Sequence, residues 1–221
     1  MLGKKVLSLR QKLALKHFEL YARFQGYTFQ IAKDATELEA IYRIRWKVYS
    51  ETGYISSETF RGQRMVEQYD EWSVNFVGLY HGEPVGTIRL TPLSKGSPIL
   101  KTFVVEAWPD PERSMEIGRF AVLPEVRHTR MVALGLVGQM SMYSLQEKVE
   151  WWVGFAPRPL LRMYKHLFRY EVIPTLPSGE REEATRRETV PGYFERYGKR
   201  IVVFRSRPEW ITPWRWMQSL R

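Results

Sequence analysis

"MEIGRFAV", residues 115–122, is the stretch of sequence on which the fold prediction depends. Its apolar residues suit a mostly buried β-strand, yet Glu116 and Arg119 place a carboxylate and a guanidinium within it. Buried charges are costly unless they are paired or used in chemistry. The stretch therefore predicts a central strand that carries either a structural ion-pair network or part of a reactive site.

The composition indicates a single globular domain. The chain has 221 residues, which is enough for one sizeable core. It lacks an apolar run of about eighteen residues, and its basic first segment does not resemble a secretory signal peptide. The absence of cysteine excludes disulfides, thiolate metal sites and a cysteine nucleophile. We therefore expect a cytoplasmic protein.

The charge balance favours an acidic partner. The 34 basic and 24 acidic residues give a net charge of +10. Zinc-finger spacings and aromatic RNA-binding motifs are missing, and basic residues occur along the whole chain, so we expect no nucleic-acid partner. The four histidines show no ligand spacing, and we predict no metal site.

Periodicity predicts how the chain is organised. Residues 1–26 are expected to form a basic amphipathic helix packed on the domain, and residues 27–221 to form that domain. Further helices are predicted over 34–53, 130–148 and 158–169, and strands over 27–32, 73–80, 84–92, 114–123, 151–156, 170–175 and 199–206. This order predicts an α/β sandwich with a mixed, mainly antiparallel sheet flanked by helices.

Four motifs occur in order between residues 41 and 127. They are "IYRIRWKVYSETGY" (41–54), "EQYD" (67–70), "GTIRLTPL" (86–93) and "MEIGRFAVLPEVR" (115–127). Together they resemble the acyl-homoserine-lactone (autoinducer) synthases and, more closely, the bacterial long-chain N-acyl amino acid synthases. Both groups have the fold of the GCN5-related N-acyltransferases. The resemblance therefore implies this fold and transfer of an acyl group to an amine.

The resemblance also implies roles for charged residues at matching positions. Those expected to bind the acceptor or to form a charged network are Arg45, Glu67, Asp70 and Arg89. Glu116 and Arg119 match the acid and base of the central strand, and we expect them to join the same network, with the three arginines paired to the three acids. Tyr49 matches an aromatic residue of the early helix. Gly118 stands where lactone synthases commonly carry Ser, which favours an amino acid acceptor.

Attack of an amine on a thioester needs a base and an oxyanion site. Glu116 is the candidate base, directly or through water, with Arg119 beside it. Backbone amides of the central strand are expected to stabilise the oxyanion and hold the phosphopantetheine, namely those of Phe120, Ala121, Val122 and Leu123.

The segment "RHTRMVA" (127–133) bears on the acyl donor. Coenzyme A-dependent relatives carry small residues where Arg130 and Val132 stand, so the resemblance implies acyl carrier protein as partner and its acyl-phosphopantetheine as donor substrate. No bound cofactor is expected. The predicted carrier-docking residues are Arg127, Arg130, Arg158 and Arg162. The predicted walls of the acyl-chain pocket are Met131, Leu134, Met140, Trp151, Phe155 and Met163.

The resulting hypothesis is an N-acyltransferase that moves a long-chain fatty acyl group from acyl carrier protein to an amino acid, with tyrosine as the first expected acceptor. One alternative is a lactone synthase that uses S-adenosylmethionine, and another is a non-catalytic module that binds an acyl chain or the carrier. For the N-terminal helix, contact with a membrane surface, at the inner face, is an alternative to packing alone.

Overall fold

The computed structural model describes residues 7–56, 58, 60–176, 191–197, 200–213 and 216. Its strands are β1 (Tyr27–Ile31), β2 (Val74–Tyr80), β3 (Glu83–Pro92), β4 (Ser114–Val122), β5 (Trp151–Pro157), β6 (Glu171–Ile173) and β7 (Ile201–Ser206). They form one sheet in the order β1-β2-β3-β4-β5-β7-β6. The β4–β5 pair is parallel and the other neighbours are antiparallel, which confirms the predicted mixed sheet.

The helices of the described residues are α1 (Leu9–Phe24), α2 (Ala35–Glu51), α3 (Pro98–Thr102), α4 (Pro124–Arg127), α5 (Met131–Gln146), α6 (Arg158–Tyr164) and α7 (Pro191–Tyr197). Of the two residues that the sequence offers as a cap for α2, Asp34 and Thr36, the structure has Asp34 in this role. Its side chain accepts a hydrogen bond from the Glu37 amide at 2.9 Å. Helices α3, α4 and α7 were not predicted from the sequence. None of the described helices combines the length and apolar character needed to cross a bilayer.

Helix α1 forms most of the predicted N-terminal segment, residues 1–26, and packs on the domain. Ser8 caps it in a capping box with Gln11, and Phe18 and Ala22 are buried in the main core. Residues 1–6 of that segment lie outside the described residues. Helix α5 lies close to the sheet because Gly135 has no side chain: a Cβ there would be 2.1 Å from the Phe29 ring.

The two middle strands separate along their length. Strands β4 and β5 are paired only between Ser114–Glu116 and Trp151–Val153, while β5 continues along β7 as far as Pro157. A gap therefore opens between the carboxyl-terminal halves of β4 and β5. This gap is where the candidate site lies.

Strand β4 also bulges against β3 in this region. Arg89 is opposite Gly118 and Thr87 is opposite Ala121, so two residues of β4, Arg119 and Phe120, face the single residue between them on β3. Arg119 has a φ of +53°, a conformation that is uncommon for residues with a side chain. A bulge of this kind bends the strand and changes the direction of its side chains.

Candidate active site

A cavity occupies the gap between β4 and β5. It encloses about 820 Å³ of empty space, part of it open to solvent. Glu116, Gly118 and Arg119 of β4 line it together with Phe155 of β5. Further lining residues are Tyr49, Tyr54, Ile88, Ile117, Phe120, Val137, Leu160, Tyr164, Leu167, Phe168, Tyr193 and Phe204. The cavity is thus apolar and aromatic, with one carboxyl and one guanidinium group in its wall.

A buried ionic network lies behind this wall. Arg119 donates hydrogen bonds to both carboxylate oxygens of Glu67 through Nε and Nη2. Arg89 Nη1 lies 3.0 Å from both Glu67 Oε2 and Asp70 Oδ1, and Arg45 Nη1 lies 2.7 Å from Asp70 Oδ1. Arg45 also donates to the side chain of Asn75. The structure therefore joins five of the six predicted charged residues.

The acids of this network are ionised. Burial alone would raise the pKa of Glu67, but the charges of Arg119 and Arg89 outweigh it and lower that pKa to about 2. Burial likewise opposes the lowering of the Asp70 pKa, and Arg45 and Arg89 again prevail. Arg45 and Arg89 are both almost fully buried and bound to acids, so they act on the site through Glu67 and Asp70.

Glu116 stands apart from these ion pairs. Its side chain is 1% exposed, and Oε2 accepts a hydrogen bond from the backbone amide of Ile99 at 2.9 Å. Burial raises the pKa of Glu116, although the Ile99 amide and the nearby charges of Arg89 and Arg119 oppose the rise. The expectation that Glu116 would pair directly with an arginine is therefore wrong. A buried carboxyl group with a raised pKa in a cavity wall is suited to proton transfer.

The predicted backbone donors need one correction. The amide of Leu123 donates to the carbonyl of Val85 at 2.9 Å and is not available to a substrate. Ala121 and Val122 lie in register with Thr87 and Gly86, beyond the bulge. Among the four predicted residues, only Phe120 both lies in the bulge and lines the cavity.

Most of the residues predicted to form the acyl-chain wall do not line this cavity. Met131, Leu134 and Met140 are buried in the main core between α5 and the sheet, away from the cavity lining. Met163 is 37% exposed, and the ring of Trp151 lies beneath the guanidinium groups of Arg205 and Arg207. Phe155 is the predicted wall residue that lines the cavity.

The four arginines predicted to dock a carrier protein all have exposed side chains. Arg127 and Arg130 follow β4, while Arg158 and Arg162 belong to α6, which follows β5. Because β4 and β5 are parallel, both segments leave the sheet at the same edge, beside the gap. Arg127 also donates to the Val122 carbonyl at 2.9 Å.

Tyr54 and Tyr193 extend the cavity wall around Tyr49, and neither was predicted to belong to the site. Tyr193 of α7 packs edge-to-face on Tyr54 with ring centroids 5.0 Å apart, and Tyr54 contacts Tyr49 in the same way at 5.7 Å. The Tyr54 and Tyr197 hydroxyls are 3.2 Å apart. The aromatic residues 193, 194 and 197 have helical spacing, which was the available signal for α7.

The family to which the sequence is matched identifies the chain as an acyltransferase. A profile of the N-acyl amino acid synthase FeeM family matches residues 40–181, and the chain belongs to this family. No match occurs among curated protein sequences. The family accounts for the four motifs between residues 41 and 127, all of which lie within the matched range.

Solved structures share the fold at low sequence identity. FeeM, an N-acyl amino acid synthase from uncultured soil microbes, has 18% identity and a TM-score of 0.58 over 83% of this chain and 92% of its own. BjaI, a CoA-dependent acyl-homoserine lactone synthase, has 18% identity and a TM-score of 0.59 over 77% and 75%. The acyl-homoserine lactone synthase LasI has 17% identity and a TM-score of 0.59 over 82% and 90%.

Proposed function

We propose that this N-acyl amino acid synthase transfers a long-chain fatty acyl group from acyl carrier protein to the α-amine of an amino acid, with tyrosine as the first candidate. The observation that carries the proposal is the cavity between β4 and β5, which places Glu116 and Arg119 in an otherwise apolar and aromatic wall. Such a cavity can hold a hydrocarbon chain beside the two polar groups that the reaction needs.

The reaction requires that the acceptor ammonium first lose a proton. Glu116 is the proposed base, directly or through a water molecule, because it is a carboxyl group in the cavity wall. The neutral amine then attacks the thioester carbon, and the tetrahedral oxyanion is stabilised by backbone donors at the bulge of Arg119 and Phe120. Collapse of this intermediate forms the amide bond and expels the phosphopantetheine thiolate, which takes up a proton.

The acceptor is proposed to enter on the side of Tyr49, Tyr54 and Tyr193, whose rings suit an aromatic amino acid side chain. Glu67 engages Nε and Nη2 of Arg119, which leaves Nη1 for the acceptor carboxylate. Arginine suits this task because its fork of donors fits a carboxylate and remains charged when buried.

Two features support acyl carrier protein as the donor. The four exposed arginines beside the gap match the acidic character of a carrier. In addition, the buried Val132 side chain fills the space beside β3: a Cβ on Gly86 would lie 2.5 Å from Val132 Cγ1. Arg130 and Val132 thus stand at the two positions where coenzyme A-dependent relatives carry the small residues that let a pyrophosphate approach a helix start.

A donor competition tests this proposal. Purified enzyme is supplied with tyrosine and either palmitoyl-carrier protein or palmitoyl-coenzyme A, and products are identified by mass spectrometry. We expect N-acyltyrosine from the carrier-bound donor at a much higher kcat/KM. Equal rates from both donors would refute the preference for the carrier-bound donor. A faster reaction with another amino acid would refute tyrosine as the acceptor. Acyl lactone formed from S-adenosylmethionine would refute an amino acid acceptor altogether.

A further inference from the structure

Helix α1 has two apolar faces. One face packs on the domain through Phe18 and Ala22, which are 3% and 1% exposed. The second face points to solvent and consists of large side chains that are 73%, 52%, 57% and 85% exposed, namely Leu9, Leu13, Leu20 and Phe24. We call these four residues the outer stripe. The solvent-facing side of α1 therefore exposes large apolar side chains to water.

The spacing of the outer stripe follows the helical repeat. Its members are separated by four, seven and four residues, which places them on one side of a helix with 3.6 residues per turn. Leu9 is nine residues from Phe18, or two and a half turns, so the stripe lies opposite the buried face. Single exposed apolar side chains are ordinary, whereas a contiguous row of four marks an interaction surface.

Basic residues flank the outer stripe. Lys12, Lys16 and Arg23 lie along one border and Arg10 follows Leu9 on the other, all with exposed side chains. Residues 1–25 contain six basic residues and one acidic residue, which accounts for half of the net charge of +10. Glu19, that single acid, is paired with Arg23 at 3.0 Å. The surface of α1 thus combines exposed apolar side chains with a strong positive charge.

We infer that the outer stripe of α1 binds the surface of an anionic lipid bilayer. The helix lies in the plane of the interface, the leucines and Phe24 enter the boundary between headgroups and acyl chains, and the flanking lysines contact lipid phosphates. The opposite face of α1 stays packed on β1 and α5, so binding does not require the helix to leave the domain. Charge complementarity favours this occupant over a second copy of the chain, whose own α1 would bring like charges together.

Flotation with lipid vesicles tests the inference on the full-length protein. Vesicles of phosphatidylcholine alone are compared with vesicles of equal parts phosphatidylcholine and phosphatidylglycerol, at low and high salt. The apolar variant is Leu13→Gln with Leu20→Gln, which keeps good helix formers on the exposed face. The charge variant is Lys12→Gln with Lys16→Gln. The matched control is Val172→Gln with Leu176→Gln, two exposed apolar residues elsewhere on the surface.

The wild-type protein and the control variant are expected to float with anionic vesicles, less so at high salt. The apolar variant should lose at least about tenfold in partitioning, and the charge variant should lose a similar factor on anionic vesicles only. Circular dichroism spectra and acyltransferase rates with soluble substrates should be unchanged in both variants.

Three results would overturn the inference. The first is that the folded wild-type protein does not float with anionic vesicles. The second is that the apolar variant and the wild type float equally. The third is that the wild type binds no lipid but forms a dimer, which the apolar substitutions convert to monomers. The last result would assign the outer stripe to a second copy of the chain. Vesicle binding and acyl transfer are measured separately, so failure here leaves the proposed function intact.

Discussion

Arg119 binds Glu67 with two nitrogens of its guanidinium, although Glu116 is the acid nearer to it in sequence. This arrangement divides the charged residues of the site into two groups. Glu67, held at a pKa of about 2, fixes Arg119 in the cavity wall. Glu116 lies outside these ion pairs, and its Oε2 accepts a hydrogen bond from the Ile99 amide. Because burial raises its pKa, Glu116 binds a proton more readily than Glu67 does. One acid therefore positions the guanidinium, and the other is suited to chemistry.

Replacement of Glu116 should separate activity from stability. We expect Glu116→Gln to lower kcat by about a hundredfold or more, because a general base is lost. The raised pKa means that the stabilisation linked to Glu116 is present below pH 4.5, its ordinary value, and is lost as pH rises through the folded pKa. At neutral pH the variant should therefore be at least as stable as the wild type in urea denaturation.

Glu112→Gln, on the exposed turn before β4, is the control for this comparison, and it should change neither property. Turnover of Glu116→Gln within a few-fold of wild type would contradict the base assignment. A large loss of both stability and activity would indicate that Glu116 is chiefly structural.

Glu67→Gln should be strongly destabilising. The variant leaves Arg119 buried without its carboxylate, which typically costs about 3–5 kcal/mol. Glu39→Gln is the matched control, since Glu39 also binds two arginines, Arg43 at 2.9 Å and Arg64 at 2.8 Å, but on the surface. That control should lose less than about 1 kcal/mol in urea denaturation. Similar losses for the two variants would show that burial of the network has little energetic effect.

The same network should make stability depend on pH in acid. Because the pKa of Glu67 lies at about 2, below its ordinary value of 4.5, its contribution is present above pH 4.5 and is lost as pH falls towards 2. Wild-type stability, measured by urea denaturation across this range, should fall more steeply than that of Glu67→Gln. Parallel pH curves would refute the lowered pKa.

Much of the fold could be predicted because strong periodicity and capping signals coincide. Two candidate caps, Asp34 and Thr36, before a helical pattern predicted the start of α2 to within two residues. Apolar alternation predicted the two strands that form the β2–β3 hairpin. The ordered motifs predicted one network of six charged residues. The structure joins five of them, namely Arg45, Glu67, Asp70, Arg89 and Arg119, while the sixth, Glu116, accepts a hydrogen bond from the Ile99 amide instead. Charges within otherwise apolar strands were informative because burying them is costly without partners.

The details of the cavity could not be predicted, since they depend on irregular backbone. Residues three apart on a regular strand point to opposite faces, so the sequence does not explain how Glu116 and Arg119 line one cavity. The bulge at Arg119, with its positive φ, supplies the extra residue. Similarly, the pattern of α5 predicts that Met131 and Met140 are buried but does not say whether core or cavity surrounds them.

Gly118→Ser should shift the pH dependence of the reaction. A Cβ at Gly118 would lie 3.5 Å from Glu116 Oε1, an ordinary contact, so the serine hydroxyl can donate a hydrogen bond to the carboxylate. Such a bond favours the ionised form and lowers the pKa of Glu116. The acidic limb of the kcat/KM profile should therefore move to lower pH, while Gly118→Ala, which adds no donor, should leave it in place. An unchanged limb in the serine variant would argue that a different group titrates.

Gly192→Ala should disturb the aromatic wall of the cavity. Gly192 lies where α7 meets the end of α2: its amide donates to the Tyr54 carbonyl at 3.1 Å, and a Cβ there would be 2.0 Å from the Gly53 carbonyl oxygen. Because the obstructing atom is backbone, α7 must move, and the displacement should cost about 1–3 kcal/mol despite the better helix propensity of alanine. Tyr193 moves with α7, so KM for the amino acid should rise more than KM for the acyl donor.

Gly138→Ala is the matched control for this substitution. Gly138 lies within α5, where the nearest atom to an added Cβ is Leu15 Cδ2 at 3.4 Å, at the end of a flexible side chain. We expect this variant to be neutral or to gain up to about 1 kcal/mol, with both KM values unchanged. The two variants make the same chemical change in a helix. Any difference between their stabilities therefore reflects the atoms that the new methyl group contacts. If Gly192→Ala matched the control in thermal denaturation and in steady-state kinetics, α7 would not form part of the acceptor side of the site.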